Sequence, residues 1–218
     1  MSVTLGNNLT GFTITHDLIR RMIPELGKRL ANADAAGTLD QAAARKLADW
    51  WSMFTTILDG HHTSEDSHVW PVVLAAEPGL AAIADTLEEQ HDSLDGHLAG
   101  IDEGLRSLAA GESVLRPLLE RIAAFDELML GHLSLEEEHM VPVLRDKVTH
   151  EAYLGMLGSL AEGHDPADFV PTMPLLLEQA TPVARQFMLG NMPPALRERY
   201  DSEWEPAYRS LVASLPPA

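Results

Sequence analysis

The feature that most constrains this chain is an internal repeat. His61-His62-Thr63-Ser64-Glu65-Asp66-Ser67-His68-Val69-Trp70-Pro71-Val72 aligns without gaps onto His132-Leu133-Ser134-Leu135-Glu136-Glu137-Glu138-His139-Met140-Val141-Pro142-Val143. The shared pattern is His, three residues, Glu, an acid, one residue, His, two residues, Pro, Val. Upstream, Thr15-His16-Asp17 resembles Gln90-His91-Asp92 at a similar offset. Each half therefore supplies one lone histidine and one His-x3-Glu pair, and the two halves must present them from equivalent elements.

Those elements read as helices. Ala, Leu, Glu and Arg dominate, apolar residues recur at helical spacing, and β-branched runs are few. The pattern predicts helices over about 13–33, 40–75, 80–110 and 113–146. Glu77-Pro78-Gly79 and Gly111 act as stops, and Pro117 is tolerated in a first turn. Pro71 and Pro142 should each kink or fray a helix near its C-terminal end. Long helices with short connections predict an all-α chain, an up-down-up-down four-helix bundle. A short helix from Thr149 to about 162, a connection over 163–174, and helices over about 175–189 and 195–215 follow. We expect them as additional C-terminal helices packed on the bundle. The domain expectation is a bundle over 10–148 and a helical extension over 149–218.

Side chains four apart on a helix differ by about 40°, so His61 with Glu65 and His132 with Glu136 each share a face. With His16 and His91 they provide four imidazoles and two carboxylates converging in a bundle core. That set suits two first-row metal ions, each taking two histidines, with both carboxylates bridging. Iron, manganese or zinc fit such donors better than calcium or magnesium. His62 lies about 100° from His61 and cannot face the same metal, so a supporting or surface position is expected. His68 and His139 return to the ligand face about 10 Å further along, which suits support behind the ligands. Glu65-x-x-His68 and Glu136-x-x-His139 also match the Glu-x-x-His element of ferritin-like bundles. That scheme wants a lone Glu where this chain has His16 and His91, and so fits less well.

Composition narrows the function classes. The 218 residues hold 15 Lys+Arg against 33 Asp+Glu, a formal charge of −18, which disfavours nucleic acid and anionic membrane as partners. There is no cysteine, so thiolate metal sites, iron–sulfur ligation and thiol catalysis are excluded. The start lacks the basic and apolar regions of a signal peptide, and no apolar run reaches membrane-spanning length, giving a cytoplasmic expectation.

The ordered set His, His-x3-Glu, His, His-x3-Glu over about 10–148 resembles the hemerythrin-like HHE cation-binding domains. The resemblance implies His16, His61, Glu65, His91, His132 and Glu136 as ligands of an oxo- or hydroxo-bridged di-iron centre that meets oxygen, peroxide or nitric oxide. Manganese or zinc would satisfy the same ligands. The tail, with Met173-Pro174-Leu175-Leu176-Leu177 and Trp204-Glu205-Pro206-Ala207-Tyr208, resembles the helical extension of some actinobacterial members. Respiratory hemerythrins carry a second histidine four residues after the first on helix three, where this chain has Asp95, with His97 six away. Asp95, a tyrosine from the tail or water is then left for the fifth-histidine position. An even, two-histidine-per-iron site points away from an oxygen carrier and toward peroxidase- or catalase-like chemistry, with His62 or Asp95 placed to assist proton transfer. The alternatives are a non-catalytic sensor or carrier of oxygen, nitric oxide or iron, and a metal-free helical interaction module.

Overall fold

The computed structural model describes residues 6–163 and 170–218, and among them there is no strand. Four long rods make the bundle: α1 (Thr10–Ala35), α2 (Gln41–Ser64) continued by a π turn (Glu65–Val69) into α3 (Trp70–Ala76), α4 (Ala81–Ala110) and α5 (Leu115–Asp146). α4 packs between α2 and α5, and α5 returns against α1. The all-α, four-helix architecture expected from the periodicity is what the chain adopts.

Local chemistry sets the ends. The Asp40 side chain accepts from the Ala43 N–H and caps α2, satisfying one of the donors that a helix start leaves open. Gly111 closes α4 at φ +92°, a left-handed conformation that only glycine adopts without strain. The prolines resolve differently. Pro142 stays within α5, whereas Pro71 follows the π turn, in which the Trp70 N–H reaches back to the Glu65 carbonyl. The wider turn lets the rod continue past a residue that lacks an N–H and crowds the preceding turn. The same device recurs at a second π turn (Tyr200–Trp204), which again ends two residues before a proline, Pro206.

A 3₁₀ turn (Pro78–Leu80) precedes α4, and after the bundle come α6 (His150–Gly163), a 3₁₀ turn (Val170–Thr172), α7 (Met173–Glu178), α8 (Pro182–Gly190), α9 (Pro194–Arg199) and α10 (Glu205–Ser214). The helix expected over 175–189 is two pieces, because Thr181 caps a new start and Pro182 opens it. The expected connection over 163–174 lies partly outside the described residues; the part within them holds the 3₁₀ turn and the start of α7. α7 packs on α1 and α2, and α10 on α2. Lys46 donates to the Ser214 carbonyl and Arg29 to that of Pro216, so the C-terminus lies at the closed end of the α1–α2 hairpin.

The buried apolar residues fall into two blocks. One joins Leu18 to Leu30, Leu47 to Leu58, Leu94 to Leu105 and Leu118 to Leu133, and is sealed by Leu175, Leu177, Tyr200 and Trp204 of the tail. The other gathers Val69, Trp70, Val73, Leu87, Met140, Leu144 and Tyr153. On the α2 rod and α4 the gap between the blocks falls where the histidines and Glu65 stand, and on α5 it holds Glu136. Phe125 is wholly buried in the first block, so Phe125→Ala should cost about 3–5 kcal/mol through lost transfer energy and a residual cavity. Urea unfolding of the metal-free protein checks this.

Candidate metal centre

Between the two apolar blocks lies a buried polar layer. His16 comes from α1, His61 and His62 from the last turn of α2, Glu65 from the first position of the π turn, His91 from α4, and His132 and Glu136 from α5. Their ligand atoms form two groups, His16-His61-Glu65-Glu136 and His62-Glu65-His91-His132, each with all its atoms within 4.8 Å of one another. All six residues expected from the repeat and the resemblance are brought together, and His62 joins them.

The carboxylates sit astride the two groups. Glu65 Oε1 lies 3.2 Å from His61 Nε2, while its Oε2 lies 3.7 Å from His91 Nε2. Glu136 Oε2 lies 3.3 Å from His16 Nε2, and its Oε1 lies 3.1 Å from His132 Nε2. Each glutamate thus offers one oxygen to each side, the disposition of a bridging ligand.

The outer edges of three rings are held. His16 Nδ1–H donates to Glu137 Oε1 at 2.8 Å, and Arg20 donates to the other oxygen of Glu137 at 2.8 Å. His91 Nδ1–H donates to Asp66 Oδ2 at 2.9 Å, and His132 Nδ1–H to Gln90 Oε1 at 3.0 Å. With Nδ1–H so engaged on the outer edge, Nε2 is the atom that each ring turns inward. His91 Nε2 and His132 Nε2 thereby meet at 3.2 Å. His16 Nε2 likewise meets a carboxylate oxygen rather than a donor. Both oxygens of Glu65 and Glu136, Nε2 of His16 and His61, and both ring nitrogens of His62 are buried without a hydrogen-bond partner. Buried polar atoms without partners are costly in a low-dielectric core, and cations among them would engage the carboxylate oxygens and the ring nitrogens that turn inward. The donor set fits a pair of divalent first-row ions, with nitrogen and carboxylate oxygen as ligands.

His62 corrects the sequence reading. Its ring stacks on His91, with centroids 4.2 Å apart at 15°, and meets His132 edge-on at 5.4 Å. It is buried within the second group rather than supporting the site from outside. The 100° separation from His61 excludes only a shared metal, and the layer has two positions. One side therefore has two histidines and the other three, so the even division is not what the fold presents. In the aligned repeat His62 stands opposite Leu133, a core residue.

The other expected positions fall outside. Asp95 is exposed and belongs to neither group; the tyrosine hydroxyls are engaged elsewhere, Tyr153 on the Asn8 carbonyl, Tyr200 on Glu205 and Tyr208 on Glu178. His68 and His139 are half-buried and in neither group. Asp66 and Glu137, the acids that the repeat repeats, were not picked out from the sequence. Their signal was there: an acid follows the bridging glutamate in both halves.

Burial pushes the Glu65 carboxyl well above the usual carboxylate range, with the charge of Glu136 adding to it. Burial likewise holds His61 well below its ordinary value and His62 at about 2, with neighbouring imidazoles contributing.

A family model of the hemerythrin HHE cation-binding domain matches residues 10–144 and again 83–165. No curated protein matches the chain. No solved structure matches it either.

The depressed His62 value has a definite sign. Below the unfolded value of 6.5 the unfolded chain takes up a proton that the folded one refuses until about 2, so stability is lost as pH falls through that window. In the metal-free protein, His62→Leu should flatten the fall of stability on acidification below pH 6.5, measured by urea denaturation across pH.

Proposed function

The chain belongs to the hemerythrin HHE cation-binding family, and we propose that it is a non-haem di-iron protein that binds or reacts with a small oxidant: oxygen, hydrogen peroxide or nitric oxide. The observation that carries this is the pair of buried glutamates, each offering its two oxygens to separate clusters of histidine nitrogens. Bound there, two iron ions would supply the redox and Lewis-acid chemistry that such molecules require, and manganese or zinc would fit the same donors.

The residues divide the work. His16 and His61 hold one position and His62, His91 and His132 the other, with Glu65 and Glu136 shared. Counting donors, the first position has one fewer, which leaves room there for an incoming molecule. Phe12 packs over that side, 4.4 Å from the His16 ring and 5.2 Å from the His61 ring, and keeps it apolar. Neither residue first considered for proton transfer is placed for it, since His62 is buried and held neutral and Asp95 lies outside the cluster. We take residues 10–148 as the metal-carrying bundle and 149–218 as a helical extension whose first helix packs on the smaller block and whose later helices pack on the larger.

Peroxide disproportionation is the enzymatic form of this reading. The uneven two-and-three division of histidines favours a second form, reversible binding of one molecule per chain by a carrier or sensor. A metal-free interaction module would leave the buried acceptors uncompensated. No helix among the described residues is long and apolar enough to cross a membrane, and a cytoplasmic protein without nucleic-acid partners remains our proposal.

Elemental analysis should find close to two iron atoms per chain, either as purified or after anaerobic addition of Fe(II), falling to one or none in Glu65→Ala. Failure to bind metal in either condition overturns the reading. With metal bound, peroxide consumption well above that of free iron and lost in His61→Ala marks the enzyme. Reversible oxygen or nitric oxide binding without turnover marks the carrier or sensor.

A further inference from the structure

The two halves of the repeat treat their lone histidines alike in geometry and differently in charge. The acid following each bridging glutamate reaches across to the neighbouring rod: Asp66 from the α2 rod to His91 on α4, and Glu137 from α5 to His16 on α1. Around Glu137 the charge is balanced, because Arg20 pairs with its second oxygen. Among the described residues Asp66 pairs only with His91, and its Oδ1 is buried without a partner. The surroundings of Asp66 are acidic as well. Partial burial pushes the Asp95 carboxyl up, and the charges of Asp59, Asp92 and Asp66 add to it against that of His91.

A carboxylate that accepts from the outer nitrogen of a ligating imidazole fixes its tautomer and raises its basicity, and the second effect favours the more oxidised metal. A cation on the same carboxylate offsets the second effect and leaves the first. We propose that Asp66 and Glu137 are positioning residues that make the two metal positions electrically unequal. Asp66 then renders the side of His62, His91 and His132 the more readily oxidised, while Glu137, balanced by Arg20, mainly orients His16. This rests on the two-metal reading above and adds which of the two positions gives up an electron first, and through which side chains.

The test compares wild type with Asp66→Asn, Glu137→Gln and Arg20→Gln, each loaded with iron for spectroscopic redox titration. The same proteins are titrated with zinc against a competing chelator, which reads affinity without any redox chemistry. Asp66→Asn keeps an acceptor for His91 and removes the charge. It should raise one of the two potentials and weaken one of the two zinc ions about 10–100-fold. Glu137→Gln should move the other potential upward by less, and Arg20→Gln should move that same potential downward. Helix content and melting of the metal-free proteins should match wild type, which separates positioning from a general loss of structure.

Unchanged potentials and zinc affinity in Asp66→Asn, or equal shifts in Asp66→Asn and Glu137→Gln, overturn the inference while wild type still binds two metals. Wild type that binds fewer than two metals overturns the two-metal reading itself, and this inference with it.

Discussion

Everything in this molecule is arranged around one unfavourable act, the burial of two carboxylates and five imidazoles between two apolar blocks. Glu65 and Glu136 are wholly buried, and none of their four oxygens has a hydrogen-bond partner. The desolvation of such groups is repaid only by opposite charge at short range. The α2, α4 and α5 rods need apolar residues on both sides of the layer, and Leu58, Leu94 and Leu133 on one side with Val69, Leu87 and Met140 on the other supply them. The tail fits the same requirement at one remove, since Leu175, Leu177, Tyr200 and Trp204 complete the larger block. The buried polar layer and the packing around it are therefore mutually dependent.

Much of this could be read from the sequence, for a physical reason. Helical periodicity and a gapless repeat are one-dimensional patterns that map directly onto faces of a rod, so the four helices and His16, His61, Glu65, His91, His132 and Glu136 were legible. His62 was misjudged because the angle from His61 was weighed against a single metal. Two neighbouring positions on either side of a bridging carboxylate accept side chains 100° apart, and only the three-dimensional separation of the sides reveals it. Asp66 and Glu137 were hidden by their composition. An acid run such as Glu136-Glu137-Glu138 looks like a solvated face, and that Glu137 reaches His16 on another rod is a matter of packing.

The prolines show the limit of local rules. Pro71, Pro142 and Pro206 all invite a break by the same reasoning, yet two are accommodated by π turns and one within an α-helix. A missing N–H needs only a neighbouring carbonyl free to pair elsewhere, and the surrounding rods decide whether that is cheaper than a kink. Where capping chemistry was available, at Thr181-Pro182, the chain did break, and one expected helix became two.

The π turn at Glu65–Val69 also determines what borders the metal layer. Because the rod runs on through Pro71, continuous helix passes the site on every side, and no hinged loop lies beside it among the described residues. Among the described residues, what stands between solvent and this layer is side chains on packed helices, Phe12 among them, rather than a loop. Side-chain rotations take picoseconds to nanoseconds, far faster than a lid, so the pace of entry past these helices is set by rings turning in place.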